Sequence, residues 1–283
     1  MTGRWPARPA PPEADVLVPF FNKHEVLLRC LRALLAAIGR RHHVVLIDDG
    51  SRPWERHAVD EFVARAGRPI EVVTLPENRG YKEALCAGFR AGRRPYVLFL
   101  NSDAVVTPGF DLRLLEAMAD PLVGAAAPVS NHPTDLFQYR PALAGLRPEA
   151  AVDPGADLDR RFRRLRPVPA GTITAAPYLT GMCLALERGL FERVGLFGLA
   201  YRHGYFEDLA LSCQLRQLGY RLVVREDCFV YHQGHATYTE KTQDEKSDIV
   251  FHNFRIFEAE WGHMPEHADL RQRMDYAGEV APL

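Results

Sequence analysis

The sequence has no cysteine pattern that would hold a metal or a disulfide framework. Its five cysteines are widely spaced and none forms a C-x-x-C pair, so neither a zinc site nor a set of disulfides is indicated. We expect reduced cysteines, mostly in the core. Long apolar runs are also missing: the longest, such as Ala33–Ile38, fall far short of the ~20 residues that span a bilayer.

The net charge is close to zero, and the first residues lack the apolar stretch of a leader segment. The formal charge of the 283 residues is −1, which gives no general attraction to nucleic acid. Residues 1–13 are rich in Pro, Ala and Arg without an apolar stretch, so no signal peptide is expected. We therefore expect a soluble, cytoplasmic protein. The apolar content of 47% is enough for one large α/β domain or two small ones.

Strands and helices alternate along the first half of the chain. The predicted strands are 15–20, 43–47, 70–75, 96–100 and 124–128, and the predicted helices between them are 25–38, 55–66, 82–91 and 110–119. This alternation favours βαβ units, and so an α/β fold with a Rossmann-like, mostly parallel central sheet flanked by helices. From Ser130 to Pro169 the chain lacks periodicity, which predicts a long loop or a partly ordered excursion.

Regular structure is predicted again after Pro169. The predicted strands are 173–179, 183–186, 221–225 and 228–231, and the predicted helices are 188–194, 207–218 and 244–261. We expect one domain over 15–262, divided into a nucleotide-binding half (15–128) and a smaller acceptor-side half (129–262). A flexible N-terminus (1–14) and a C-terminal tail (263–283) flank this domain.

Two apolar strands end in acidic residues. Asp48 and Asp49 follow the strand 43–47, and Asp103 follows the strand 96–100 after Asn101 and Ser102. Ligands collect outside the carboxyl ends of such strands, where a carboxylate can bind a divalent cation. Helix N-caps are the alternative interpretation, since Asp and Ser favour that position. Two such strand ends favour a nucleotide and metal site.

A third acidic site begins a predicted helix. Glu207 and Asp208 follow a glycine and two aromatic residues, Tyr205 and Phe206, a composition suited to the wall of a sugar pocket. Acids in the first turn also stabilise a helix by themselves. A carboxylate partly desolvated by aromatic neighbours can act as a general base. His232, at the end of a predicted strand, is a candidate metal ligand beside Asp103, with His235 as the alternative.

Six short segments occur in a fixed order: LVPFFN from Leu17, IDDGS from Ile47, ENRG from Glu77, LNSD from Leu100, GYFED from Gly204, and Tyr231-His232. Over roughly 16–262 they resemble the inverting family 2 glycosyltransferases, which have a GT-A fold. The resemblance implies a nucleotide-sugar donor (UDP or dTDP), a divalent metal (Mn²⁺ or Mg²⁺) and inversion at the anomeric carbon. It leaves the acceptor open among glycan, lipid-linked and small-molecule hydroxyls.

The resemblance also implies residue roles. Asp49 would accept a hydrogen bond from the pyrimidine N3, Asp103 and His232 would bind the metal, and Asp208 would be the catalytic base, supported by Glu207. The other residues implied at the donor are Pro19, Phe20, Phe21, Asn22, Arg79, Gly80, Lys82, Asn101, Ser102, Gly181 and Met182.

A basic and a polar segment have predicted roles outside the pocket. The basic run Arg160–Arg166 is typical of a solvated helix face, or of a contact with the inner face of a membrane. The polar segment 236–247 is predicted to be a mobile lid over the donor.

Two other function classes are less favoured by the sequence. A sugar nucleotidyltransferase should carry a Gly-rich phosphate loop after the first strand, and none is present there. A weakly catalytic binding module should lack Asp208 or His232, and both are present.

Overall fold

The computed structural model describes residues 12–149, 153–197, 200–234 and 242–263. Strands and helices alternate through the first half, as the sequence predicts. The strands are β1 (Ala14–Phe20), β2 (His43–Asp48), β3 (Ile70–Thr74), β4 (Tyr96–Leu100), β5 (Ala104–Val106) and β6 (Val123–Val129), and the helices are α1 (His24–Ala37), α2 (Pro53–Ala64), α3 (Tyr81–Ala91) and α4 (Phe110–Ala117).

The second half is richer in helix. It contains two short 3₁₀ turns (Pro133–Gln138 and Pro141–Leu143), three strands, which are β7 (Ile173–Ala175), β8 (Cys183–Glu187) and β9 (Arg221–His232), and four helices, which are α5 (Pro154–Leu165), α6 (Arg188–Arg193), α7 (Glu207–Gln217) and α8 (Gln243–Trp261).

Nine strands form one sheet in the order β3-β2-β1-β4-β8-β6-β9-β5, with β7 beside β9. The pairs among β3, β2, β1 and β4 are parallel, whereas β8 runs antiparallel to both β4 and β6. The carboxyl ends of β1, β2, β4 and β9 therefore meet the amino end of β8 at one edge. That edge carries the candidate site.

Every residue of β1 is buried because helices cover both faces of the sheet. In α1, Leu27, Leu31 and Leu34 recur at helical spacing and face the sheet. A second, smaller apolar cluster lies beside the site edge and joins α7 to α8. It comprises Leu136, Tyr178, Tyr201, Phe206, Leu209, Ala210, Cys213, Phe254 and Phe257.

The α/β class with a flanked central sheet is confirmed, whereas three local predictions differ from the structure and one strand was not predicted. The predicted loop 130–169 contains α5, with the side chain of Asp153 as its N-cap. Residues 221–232 form one strand rather than two, with a register shift between residues 225 and 229. The strand predicted over 173–179 ends at Ala175, and β5 was not predicted. The antiparallel direction of β8 could not be predicted, because a fully buried strand has the same apolar pattern in either direction.

Nearly all of the predicted flexible ends and half of the predicted lid (236–241) lie outside the described residues. Within the described ranges, Ala14 belongs to β1, and residues 243–247 form the first turns of α8. Thr242 caps that helix in a capping box with Glu245, so this half of the segment is helix and cap, and its motion as a lid stays a prediction. No helix in these ranges is both long and apolar enough to cross a membrane.

The basic run lies on α5 and its C-terminal end. Arg160 and Arg163 pair with acids one turn earlier on the same helix, and Arg166 pairs with Glu226 of β9. Phe162 is 1% exposed and stacks on Phe229 with ring centroids 5.3 Å apart. It is thus a core residue and not an apolar anchor for a membrane.

Phe162→Ala is expected to lower the free energy of unfolding by about 3–5 kcal/mol, because it leaves a cavity against Phe229. Urea unfolding followed by circular dichroism measures the loss. Leu165→Ala on the same helix is the matched control: Leu165 is 54% exposed, so its truncation should change stability by no more than about 0.5 kcal/mol. Equal losses in the two variants would contradict the packing described for α5.

Candidate functional site

A pocket of about 480 Å³ opens at the site edge of the sheet. It brings together most of the residues singled out from the sequence. These are Pro19, Phe20, Phe21, Asp49, Gly80, Asn101, Ser102, Asp103, Gly181, Met182, Glu207, Asp208 and His232.

Asp49 lines the pocket and holds the backbone of the neighbouring turn. Its two carboxylate oxygens accept the backbone N–H groups of Arg79 and Gly80, each at 2.8 Å. Burial raises the pKa of Asp49 to about 6, although these two hydrogen bonds act in the opposite direction. Gly80 has φ of 94°, and a Cβ there would lie 2.4 Å from Cα of His203, so the position requires glycine.

Three predicted donor residues do not line the pocket. Asn22 ties two turns together: its N–H donates to Ser51 Oγ and its Oδ1 accepts from Arg52 N–H. Arg79 contributes its backbone to Asp49, while its guanidinium pairs with Glu77 at the surface.

Lys82 is the third of these residues and is 3% exposed. Its ammonium donates to the carbonyl of Tyr201 at 3.0 Å and pairs with Glu83 at 3.1 Å. Lys82 thus supports the segment that precedes the acid pair, and its predicted contact with the donor stays a prediction.

Asp103 and His232 are in contact in the lining of the pocket. Oδ1 of Asp103 lies 3.3 Å from Nε2 of His232, and Nδ2 of Asn101 lies 3.3 Å from the same nitrogen. Strand pairing explains the contact, because Ala104 of β5 is directly opposite His232 of β9. Oδ1 of Asn101 is buried and has no hydrogen-bond partner within the described chain. In the same ranges, no three His, Cys, Asp or Glu side chains form a group that could hold a metal.

Asp135 is a site residue that the sequence did not predict. Its carboxylate lies 2.9 Å from Nδ1 of His232 and also accepts the hydroxyl of Ser130. Burial of His232 disfavours the charged imidazole, but Asp135 and Asp103 outweigh burial and raise the pKa of His232 well above its usual range. The contact fixes the orientation of the ring and directs Nε2 toward Asp103.

The acid pair lines the same pocket from the start of α7. Asp208 accepts the backbone N–H of Gly181 at 2.7 Å. The carbonyl of Gly181 in turn accepts the hydroxyl of Tyr81, another lining residue that was not predicted. Burial raises the pKa of both Glu207 and Asp208, and the neighbouring Asp208 raises that of Glu207 further. In the described chain, Oε2 of Glu207 is buried without a hydrogen-bond partner.

The segment before the acid pair has an unusual backbone. His203, Gly204, Tyr205 and Phe206 have φ of 56°, 127°, 71° and 73°. For residues other than glycine, such a conformation costs about 1–3 kcal/mol each and persists only where the surroundings enforce it. Runs of this kind concentrate at functional sites, which agrees with the lining position of all four residues.

Two solved structures share the architecture. One, described as GalNAc-T7 with UDP, GalNAc and Mn²⁺, has a TM-score of 0.67 and 16% sequence identity, covering 96% of this chain and 55% of that chain. The other, a mannosyltransferase from Pyrobaculum calidifontis in complex with GDP-Man and Mn²⁺, has a TM-score of 0.62 and 18% identity, covering 100% and 80%. At these identities the likeness concerns the fold alone, which is the GT-A fold of glycosyltransferases.

Residues 15–194 match the model of glycosyl transferase family 2, and the chain belongs to this family. Similar proteins include undecaprenyl-phosphate 4-deoxy-4-formamido-L-arabinose transferases. That of Edwardsiella ictaluri is 31% identical over 106 residues, 36% of this chain and 33% of the relative. That of Pseudomonas aeruginosa is 33% identical over 108 residues, 37% and 32% respectively. The match thus spans about a third of these relatives, and the family predicted from the six motifs is confirmed.

Proposed function

We propose that the protein is an inverting glycosyltransferase that moves a sugar from a nucleoside diphosphate, UDP or dTDP, to an acceptor hydroxyl. One observation carries the proposal. A single pocket is lined by Asp49, by the adjacent Asp103 and His232, and by Asp208. We assign these groups to the nucleoside, the diphosphate and the acceptor hydroxyl, respectively. The acceptor remains open among glycan, lipid-linked and small-molecule hydroxyls.

The pocket suits a divalent cation, which membership of the family also implies. Asp103 and His232 would hold it, with the unpartnered Oδ1 of Asn101 beside them. Carboxylate oxygen, amide oxygen and imidazole nitrogen together suit Mn²⁺, and Mg²⁺ is the alternative. When bound, such a cation neutralises the charge that develops on a diphosphate leaving group. Six acids line the pocket (Asp49, Asp103, Asp135, Glu207, Asp208 and Glu245), so it would repel a diphosphate without added positive charge.

Asp208 is the proposed base. A hydroxyl is a poor nucleophile until a positioned carboxylate takes its proton. The Gly181 N–H holds one Asp208 oxygen, and the raised pKa makes this carboxylate a stronger proton acceptor than an exposed one. Direct attack from the base side, opposite the leaving group, gives inversion.

A donor panel tests the proposal. Thermal shift with UDP-, dTDP- and GDP-sugars in Mn²⁺ should select a UDP- or dTDP-sugar, and that donor should then release nucleoside diphosphate faster when an acceptor is added. Binding without release would favour a binding module instead. Stabilisation by the GDP-sugars alone would contradict the role proposed for Asp49.

Asp135→Asn should weaken Mn²⁺ binding by about 10–100-fold, the usual cost of losing a carboxylate that orients a histidine ligand. The asparagine keeps the volume but removes the charge that faces Nδ1 of His232. Isothermal titration with Mn²⁺ and UDP measures the change directly, without turnover. Thr134→Ala, a change at the neighbouring lining residue, serves as the control and should leave the affinity unaltered. An unchanged affinity in Asp135→Asn would contradict this role.

A further inference from the structure

The C-terminal helix α8 is tied to the loop before the acid pair by one buried side chain. Asn253 is 0% exposed. Its Nδ2 donates to the carbonyls of Arg202, Gly204 and Tyr205 at 2.9, 2.7 and 3.1 Å, and its Oδ1 accepts the N–H of Arg202 at 2.9 Å. The carboxamide therefore makes four hydrogen bonds to three residues of the other segment, Arg202, Gly204 and Tyr205.

That segment cannot hold its shape by local means. Phe206 is the N-cap of α7, yet it lies in the left-handed region and offers no side-chain hydrogen bond to the helix start. Helix starts are usually capped by Ser, Thr, Asp or Asn. A run of left-handed residues that ends in such a cap needs contacts from elsewhere in the fold.

Two kinds of contact from α8 supply this support. The ring of Phe206 packs against Phe254 and Phe257, with centroids 5.7 and 5.5 Å apart. Ring packing is not directional enough to set the orientation of a peptide group. The hydrogen bonds of Asn253 are directional, and they act on the carbonyls immediately before Phe206.

We propose that Asn253 is a positioning residue: by fixing the peptide groups of residues 202–205, it sets where Glu207 and Asp208 lie in the pocket that Asp103 also lines. The proposal rests on the function proposed above. Neither Asn253 nor the loop lies in residues 15–194, the part of the chain that matches the family model. Asn253 does not line the pocket, so its effect passes through the backbone of the loop.

Three variants test the proposal. Asn253→Asp keeps the volume and the acceptor for Arg202 but removes both N–H donors. Asn253→Ala removes the whole group. Ile256→Ala, at a partly buried residue of α8 in the same apolar cluster, is the control for general loosening of the helix. Each variant is measured for thermal stability, for the Kd of UDP with Mn²⁺, and for kcat and KM with UDP-glucose, UDP-galactose and UDP-N-acetylglucosamine.

With Asn253→Asp, kcat is expected to fall by about a hundredfold, since a small misplacement of catalytic groups costs that much. The Kd of UDP should stay within about twofold of wild type, because Asn253 itself does not line the pocket. Ile256→Ala should lose stability to a similar degree and keep its kcat. Equal kcat losses in Asn253→Asp and Ile256→Ala would overturn the proposal.

Amide hydrogen exchange gives a second measurement that needs no turnover. The N–H of Ala210 donates to the carbonyl of Phe206 at 2.8 Å, so its protection reports on the cap. Peptides covering 203–212 should exchange at least about tenfold faster in Asn253→Asp than in Ile256→Ala. Unchanged exchange overturns the proposal. If exchange increases but wild type binds and turns over no nucleotide-sugar, the proposed function fails while the structural role of Asn253 stands.

Discussion

Asp208→Asn should lower kcat by about 10²–10⁴-fold, the contribution of one well-placed proton acceptor. The asparagine carbonyl can still accept the N–H of Gly181, so the pocket keeps its shape, but the amide cannot take a proton from the acceptor hydroxyl. Donor affinity should therefore stay near that of wild type. Steady-state release of nucleoside diphosphate gives kcat, and calorimetry gives the donor Kd.

Glu207→Gln is the matched comparison, because it changes the adjacent carboxyl in the same helical turn. Its effect on kcat should be clearly smaller than that of Asp208→Asn. A variant Asp208→Asn that keeps most of its activity would exclude Asp208 as the base and make Glu207 the candidate.

The pH dependence follows from the same assignment. Burial raises the pKa of Asp208, and Glu207 and Asp135 lie close enough to matter as neighbouring charges. A base works only when deprotonated, so kcat/KM should fall as pH drops through this raised pKa. The acid limb should thus lie above pH ~4, where an ordinary aspartate titrates. A limb at the ordinary value would contradict the assignment.

The second large effect concerns the cation. Excess chelator should abolish transfer, and Mn²⁺ should restore it. His232→Ala should weaken Mn²⁺-dependent UDP binding by more than the ~10–100-fold expected for Asp135→Asn, because it removes the proposed ligand and not only its orienting partner. His252→Ala, which removes an imidazole from α8 outside the pocket, is the control. Full activity in excess chelator would refute the metal proposal and make His232 a structural residue.

The sequence predicted the site residues that follow apolar strands, but it did not predict Asp135 or Asn253, which contact other parts of the site. Asp49 and Asp103 follow apolar strands, and the carboxyl ends of neighbouring parallel strands must meet, so their common pocket could be foreseen. Asp135 could not, because it lies in a 3₁₀ turn of a stretch without periodicity. Asn253 lies 45 residues after Asp208 in the chain, on helix α8, and nothing local reveals which loop its side chain meets.

Two basic features have contacts that the sequence does not reveal. Lys82 follows the donor motif in the chain, and its buried ammonium donates to the carbonyl of Tyr201. Arg160–Arg166 lies on a largely solvated helix face, and several of its charges pair with acids of its own helix and of β9. In each case the partner is set by tertiary packing, which composition does not report.

The pairing of β5 with β9 bears on how this chain can change in evolution. Ala104 opposes His232, so the distance between Asp103 and His232 is a property of strand register. A shift of one residue in that register would send the imidazole to the other face of the sheet. Insertions in the loops around β5 and β9 leave this register unchanged. We therefore expect homologues to tolerate them. Deletion of one residue between the register shift of β9 (residues 225–229) and His232 should yield a folded protein in which Asp103 and His232 are no longer in contact.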